Sequence, residues 1–281
     1  MQSTSIDQGT IDRAIDGDKE AYAALVQARG SRSLIVAERI LRSPEDAVTA
    51  ARKLFVLAYT NLKKLKELGA VEMWLMQNLV RLCGESLKDA PKKGNAFLVG
   101  CDLHKGLAEA GLLDTVGAVD SVGATPEVSR APAASAAVTR REVVRKAVDC
   151  LPFLERTAVI FRDWDGMSYL EVAEILRVKQ DEMRKLLVRG RKGVSEMLTP
   201  RAGETKCGKI HDKIWLLVGG EVGPTENAAI ISHVGACPSC SDAVRRASVV
   251  LEAIRDAAPL EDKPLLAPEM LWKEVEPLLG R

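Results

Sequence analysis

A chain of 281 residues with a formal net charge of +1 is too evenly charged to coat nucleic acid generally, so any DNA contact must come from a local cluster of lysine and arginine. Aromatic residues make up 4%, against a stacking platform for single strands, and six cysteines without regular spacing are unlike the disulfide framework of a small secreted domain. No apolar run reaches the roughly 20 residues that span a bilayer, and Met1 to Gln8 lack a basic stretch followed by an apolar one, which gives an untargeted cytoplasmic protein of about two domains with no membrane partner.

From Ile11 to about Lys88 the pattern is helical, with apolar positions at Ala14, Ile15, Ala21, Tyr22, Leu25 and Val26 and again from Leu34 to Leu41. Ser43-Pro44-Glu45-Asp46 is a helix start: a capping hydroxyl, proline at the first helical position and two acids at the positive end of the dipole. The helix it opens turns Ala47, Ala50, Leu54, Leu57 and Ala58 inward. A further helix carries Val71, Trp74, Leu75, Asn78, Leu79 and Leu82 at helical spacing. Between Pro91 and Thr139 the composition shifts to glycine, alanine, serine and valine, which reads as a linker with a short helix around Leu103 to Leu113. His104 there reads as an exposed polar residue.

Helical periodicity resumes at Arg141, breaks at Leu151-Pro152, returns from Phe153 to Arg162 and turns at Asp165-Gly166. Ser168-x-x-Glu171 is a capping box ahead of Val172, Ala173, Ile175 and Leu176, and a last helix runs from about Asp181 to Leu198. Two helices joined by a tight turn, with small Ala173 at the crossing, predict a helix-turn-helix. Between Arg177 and Gly193 seven basic residues face two acids, Asp181 and Glu182, a local net of +5. Lys179, Gln180, Arg184, Lys185, Arg189, Arg191 and Lys192 are therefore the candidate DNA contacts. The cations would neutralise phosphates, and side chains near the helix start would read base edges. The alternative is a helix whose charges only keep it solvated.

His233-x-x-x-Cys237-x-x-Cys240 packs three soft ligands into eight residues, and Cys207 and His211 share an i, i+4 spacing upstream. Five candidates thus compete for four tetrahedral positions around Zn2+. A site closed by four protein ligands is structural and leaves no place for a catalytic water, so the chain reads as no enzyme. Cys83, Cys101 and Cys150 read as thiols outside this set.

At this point the residues resemble a known family. Arg162-Asp-Trp-Asp-Gly-Met-Ser-Tyr-Leu-Glu-Val-Ala-Glu-Ile-Leu176, preceded by Leu151-Pro152 and followed by Arg189-Gly-Arg-Lys192, resembles the −35-binding domain of extracytoplasmic-function sigma factors. Ala14-Ile-Asp-Gly-Asp-Lys-Glu-Ala-Tyr22, Ser43-Pro-Glu-Asp-Ala47 and Trp74-Leu75 with Asn78 are similar to their −10-binding domain. The resemblance implies promoter DNA and core RNA polymerase as partners, the latter held through Asp46, Arg52 and Lys53. Arg177 stands where the family usually has a turn glycine, and Leu186 where a basic side chain usually faces DNA. Cys207 followed by His233-x-x-x-Cys237-x-x-Cys240 resembles the zinc-binding anti-sigma domains, which implies Cys207, His233, Cys237 and Cys240 as ligands, with His211 the alternative.

The expected architecture is all-α: a sigma-like polymerase-binding domain over 1–90, a flexible linker over 91–140 and a helix-turn-helix domain over 141–200. A zinc-binding anti-sigma-like domain over 201–245 and a C-terminal helix and tail over 246–281 complete it. The expected function is promoter-specific initiation, modulated by intramolecular contact of the zinc domain with the sigma-like domains. The alternative is a degenerate sigma-like interaction protein that binds another regulator and starts no transcription.

Overall fold

The computed structural model describes residues 6–62, 68–89, 133–198, 205, 207–208, 210–259 and 266–279. Most of the expected linker, with Cys101, His104 and the short helix around them, lies outside these residues. The described chain is helical, contains no strand and divides into two compact units.

The first unit contains α1 (Gln8–Ile15), α2 (Lys19–Leu41), α3 (Pro44–Asn61) and α4 (Leu68–Asp89). Each of the first three starts where a side chain takes up an orphan backbone N–H. Asp7 accepts from Thr10 N at 2.8 Å, Asp18 from Glu20 N and Ala21 N at 2.9 and 3.1 Å, and Ser43 from Asp46 N at 3.2 Å. Tyr22, Leu25, Val26, Leu34, Ala47, Ala50, Leu54, Val71, Leu75 and Leu79 are buried, as the spacing predicts. Phe55 is also fully buried, and its carbonyl accepts the Tyr22 hydroxyl, whereas Leu57 is only half-buried. Cys83 on α4 is buried.

The same unit takes in the C-terminal helix α12 (Pro268–Val275), which packs on α2 and α3. Leu271 and Val275 are fully buried and Trp272 meets Tyr22 edge-on at 6.2 Å. Gly30 makes room on α2: a Cβ there would lie 2.9 Å from Leu271 Cδ2. The expected tail is therefore part of the first unit's core, because Leu271 and Val275, four apart, share one face of α12 and bury together. Leu271→Ala is expected to destabilise the full chain by about 2–4 kcal/mol, from the lost burial and the cavity left behind. A loss under about 1 kcal/mol in denaturant melts would show α12 to be a loosely attached tail.

The second unit begins with α5 (Ala133–Asp149), eight residues before the point where periodicity resumes. The run read as low-complexity linker, Ala133-Ala134-Ser135-Ala136-Ala137, is helical; alanine is the strongest helix former and needs no periodic face to extend a helix. Cys150, expected as a thiol, is disulfide-bonded. α6 (Phe153–Val159) passes into a single π-helical turn over Ile160–Trp164, followed by α7 (Tyr169–Leu176) and α8 (Gln180–Leu198). The capping box forms as predicted: Ser168 N donates to Glu171 Oε2 at 2.9 Å and Glu171 N to Ser168 Oγ at 3.2 Å. Arg177 ends α7 at φ 55°, the left-handed conformation that a glycine would adopt more readily. Gly190 marks the crossing of α8 over α6, where a Cβ would come within 2.7 Å of Val159 Cγ2.

Three further helices complete this unit: α9 (His211–Gly219), α10 (Pro224–Ala236) and α11 (Pro238–Asp256). α11 runs continuously through residue 245, so the expected boundary there falls inside one helix. α9 packs on α8 and α11, and α11 also lies against α5, α8 and the π-helical turn. Trp164 Nε1 donates to Ile254 O at 2.8 Å and Arg145 Nε to Ala257 O at 2.7 Å, taking up carbonyls at the end of α11.

Candidate DNA-contact helix and metal cluster

Of the seven candidate DNA contacts, Lys179 and Gln180 lie exposed at the start of α8, and Gln180 Oε1 accepts the Tyr169 hydroxyl at 3.0 Å. Lys185 is the most open cation of the helix, its side chain 66% accessible. Arg184 lies over the Tyr169 ring at 5.8 Å from its centroid. Most of these cations have an acid nearby. Arg184 lies 3.8 Å from Asp181, Lys185 3.8 Å from Glu182 and Lys192 3.9 Å from Glu196, while Arg189 reaches Glu155 at 2.8 Å and Glu182 at 3.1 Å. Its two carboxylate hydrogen bonds, that to Glu155 foremost, hold the Arg189 guanidinium above its ordinary range. Exposed pairs of this kind are weak and exchangeable, so they leave the helix able to trade carboxylates for phosphates.

Arg191 departs from the expected set. Its side chain is wholly buried and is bound on one edge by Asp163, with Nε to Oδ2 at 3.0 Å and Nη2 to Oδ1 at 2.8 Å. On the other edge Nη1 donates to Glu221 Oε2 at 2.8 Å and Trp215 O at 3.0 Å, and Nη2 to Glu221 Oε1 at 3.0 Å. Arg162 joins the cluster through Nε to Glu221 Oε1 at 2.9 Å, Nη2 to Gly219 O at 3.1 Å and Nη1 to Met167 O at 3.1 Å. Burial works against the charge of Arg191, but Asp163 and Glu221 outweigh it and hold the guanidinium more firmly protonated. Burial likewise pushes the Glu221 carboxyl up, and its bonds to Arg191 and Arg162 bring it net below the ordinary value.

Local backbone geometry delivers Glu221 to this place. Gly220 ends α9 at φ 78°, Glu221 N donates to Leu216 O at 2.9 Å and Gly220 N to Leu217 O at 3.1 Å, a Schellman turn that swings Glu221 back over the helix end. In sequence the signal was only the Gly219-Gly220 helix stop. Nothing in the spacing tied Glu221 to side chains 30 and 58 to 59 positions away, so Asp163, Glu221 and the pairing of Arg162 went unforeseen.

The metal-ligand candidates do converge. The ligand atoms of Cys207, His233, Cys237 and Cys240 all lie within 4.8 Å of one another. His211 opens α9 and is not part of that cluster. Cys207 Sγ and Cys237 Sγ are 3.7 Å apart, and Cys240 Sγ is 3.4 Å from His233 Nε2. A tetrahedral ion with bonds of about 2.3 Å to sulfur and about 2.0 Å to nitrogen sets such pairs about 3.8 and about 3.5 Å apart, so the four residues fit one. His233 closes α10 and Cys237 both ends α10 and caps α11, which puts Cys240 in the first turn beyond. Backbone hydrogen bonding at Cys240 and the neighbouring thiols hold Cys237 below the usual thiol range. Cys207, hydrogen-bonded to Cys237 and Cys240 and then partly desolvated, is pushed up to about 11. Thr205 Oγ1 lies 3.1 Å from Cys240 Sγ and receives Cys207 N at 3.3 Å, tying two ligands together from outside.

In the first unit Asp46 and Lys53 are exposed on α3, and Arg52, half-buried, lies 3.4 Å from Glu274 of α12.

Residues 141–193, from α5 through most of α8, match the family model of sigma-70, region 4. The chain is 23% identical over 206 residues to the RNA polymerase sigma-H factor of Pseudomonas aeruginosa, covering 71% of this chain and 97% of that one. It is 23% identical over 200 residues to the ECF RNA polymerase sigma-E factor of Escherichia coli, covering 71% and 98%. With the ECF RNA polymerase sigma factor SigW of Bacillus subtilis it shares 22% over 182 residues, 65% of this chain and 91% of that one. No described helix is long and apolar enough to cross a membrane. The helix-turn-helix of the second unit thus falls within the stretch that matches sigma-70 region 4, on a chain similar over most of its length to ECF RNA polymerase sigma factors.

Proposed function

We propose that this chain directs core RNA polymerase to promoters, reading DNA with α8, and that the three helices α9–α11 form a zinc-bound anti-sigma-like module that modulates it. The observation that carries the reading is the region 4 match falling on a correctly capped helix-turn-helix with Lys179, Gln180 and Lys185 exposed at the front of α8. Asp46 and Lys53, open on α3, and Arg52 beside them are the expected polymerase contacts. Cys207, His233, Cys237 and Cys240 supply the tetrahedral thiolate and imidazole set that zinc prefers, and bound zinc would serve as scaffold.

Fluorescence anisotropy with promoter duplexes tests the DNA arm. Replacing Lys179, Lys185 and Lys192 together by alanine is expected to weaken binding across all sequences and to flatten the salt slope by up to about three units, one for each phosphate no longer neutralised. Affinity that ignores both salt and these substitutions would defeat the reading. The pairing of Arg52 with Glu274 favours a second reading, in which the first unit no longer engages polymerase and the chain binds another regulator instead. Core polymerase retained on the immobilised full chain would exclude it.

A further inference from the structure

We propose that Arg162 and Arg191 form a cradle for a phosphodiester of duplex DNA, and that Glu221 of the α9–α11 module fills it in the phosphate's place. The inference rests on the reading of α8 as a DNA-binding helix. Within region 4 the two guanidiniums receive one carboxylate, Asp163, and one carbonyl, Met167 O. Everything else they bind comes from the module: both oxygens of Glu221 and the carbonyls of Trp215 and Gly219 near the end of α9.

A carboxylate that accepts three N–H bonds from two guanidiniums makes the demand that the two non-bridging oxygens of a phosphodiester would make, and paired arginines meet that demand with fixed forks. Without Glu221 the cluster keeps two cations and one anion, and a guanidinium left short of acceptors in a buried position is strongly disfavoured. An incoming anion relieves it.

Two further observations point the same way. Arg184, two turns before Arg191 on α8, has a buried Nε with no acceptor among the described residues, and it interacts electrostatically with Glu226, the acid near the start of α10 that pairs with Lys213 at 2.7 Å. The module therefore sets two carboxylates, Glu221 and Glu226, toward arginines 162, 184 and 191. Gly219 shows how closely the surrogate is held: a Cβ there would lie 2.0 Å from Glu221 Oε2 and 2.1 Å from Arg191 Nη1. Module docking and phosphate binding are thus mutually exclusive at these arginines.

The test uses the metal-loaded full chain and two variants. Glu221→Gln removes the surrogate charge, and Gly219→Ala leaves every charge in place but fills the space the cluster needs, at a helical position that tolerates alanine. Labelled promoter duplex is titrated over a range of salt, with inorganic phosphate alone as the second arm. Both variants are expected to bind duplex at least tenfold more tightly than the parent chain, with a salt slope steeper by about one to two units, and Arg162→Gln added to Glu221→Gln is expected to reverse the gain. Variants that keep their metal and helix content yet match the parent in duplex affinity and slope would overturn the proposal while leaving the DNA-binding reading intact. Absence of duplex binding by parent and variants alike at low salt would sink that reading itself. Thermal protection of the variants by inorganic phosphate without tighter duplex binding would overturn the assignment to DNA.

Discussion

Replacing Arg191 by alanine is expected to destabilise the chain by about 3–5 kcal/mol, because it leaves Asp163 buried with its charge uncompensated and Glu221 held by Arg162 alone. Both carboxylates have no side-chain exposure and cannot turn to water for relief. Lys185→Ala, on the same helix but two-thirds exposed, is expected to change stability by no more than about 0.5 kcal/mol. Denaturant melts of the two variants decide the matter, and equal losses would mean that the cluster contributes nothing beyond surface charge. The cluster also sets an acid limit. Glu221 titrates below its ordinary value of 4.5 when folded, so its contribution is complete above that value and is lost as pH falls through the lower folded value. Glu221→Gln is therefore expected to flatten the pH dependence of stability below pH 4.5, where the parent chain falls.

Removing the metal is expected to have the other large effect. The module's own core is small, resting on Ile214, Trp215, Ile230, Ala243, Ala247 and Leu251, and a structural zinc site supplies on the order of 10 kcal/mol to folding in minimal domains. Chelation of the purified chain is expected to release one zinc per chain and to melt α9–α11, seen as loss of the near-ultraviolet signal of Trp215, which is buried in α9. Cys240→Ser should do the same without chelator, since Cys240 is the fully buried ligand. His211→Ala should keep the zinc, because the ligand cluster forms without it. A chelated chain with an unchanged spectrum and melting temperature would show the four residues to be ordinary polar neighbours. Thiolate and neutral imidazole are the binding forms, so acidification releases the ion, and loading at neutral pH should release protons, above all from Cys207, whose metal-free thiol is pushed up to about 11. Proton release measured with an indicator dye during titration with zinc checks that sign.

Much of the candidate site could be read in advance because its signals are local. Ser43-Pro44, Ser168 with Glu171, and the His233, Cys237, Cys240 spacing each state a geometry within a few residues, and the structure forms all three. Region 4 was legible for the same reason, down to Arg177 taking the left-handed turn. The alanine run before Arg141 misled because alanine carries no hydrophobic period, so a helix built on propensity resembles a linker. Arg191 misled differently. Arg189 and Arg191 lie two positions apart on one helix, about 200° around its axis, and one faces water while the other faces Asp163.

By itself the sequence determined most of the helices, the caps, the helix-turn-helix and the candidate ligand set, all of which depend on periods and spacings under about ten residues, apart from Cys207, which the family resemblance singled out. Tertiary structure alone decided which cations stay free. It brought Glu221 to Arg162 and Arg191, set α12 onto α2 and α3, and gathered Cys207 rather than His211 with the other three candidate ligands. The reason is physical: burial turns a charge from a solvated ornament into one that must be paired, and which charges are buried depends on helices far apart in the chain.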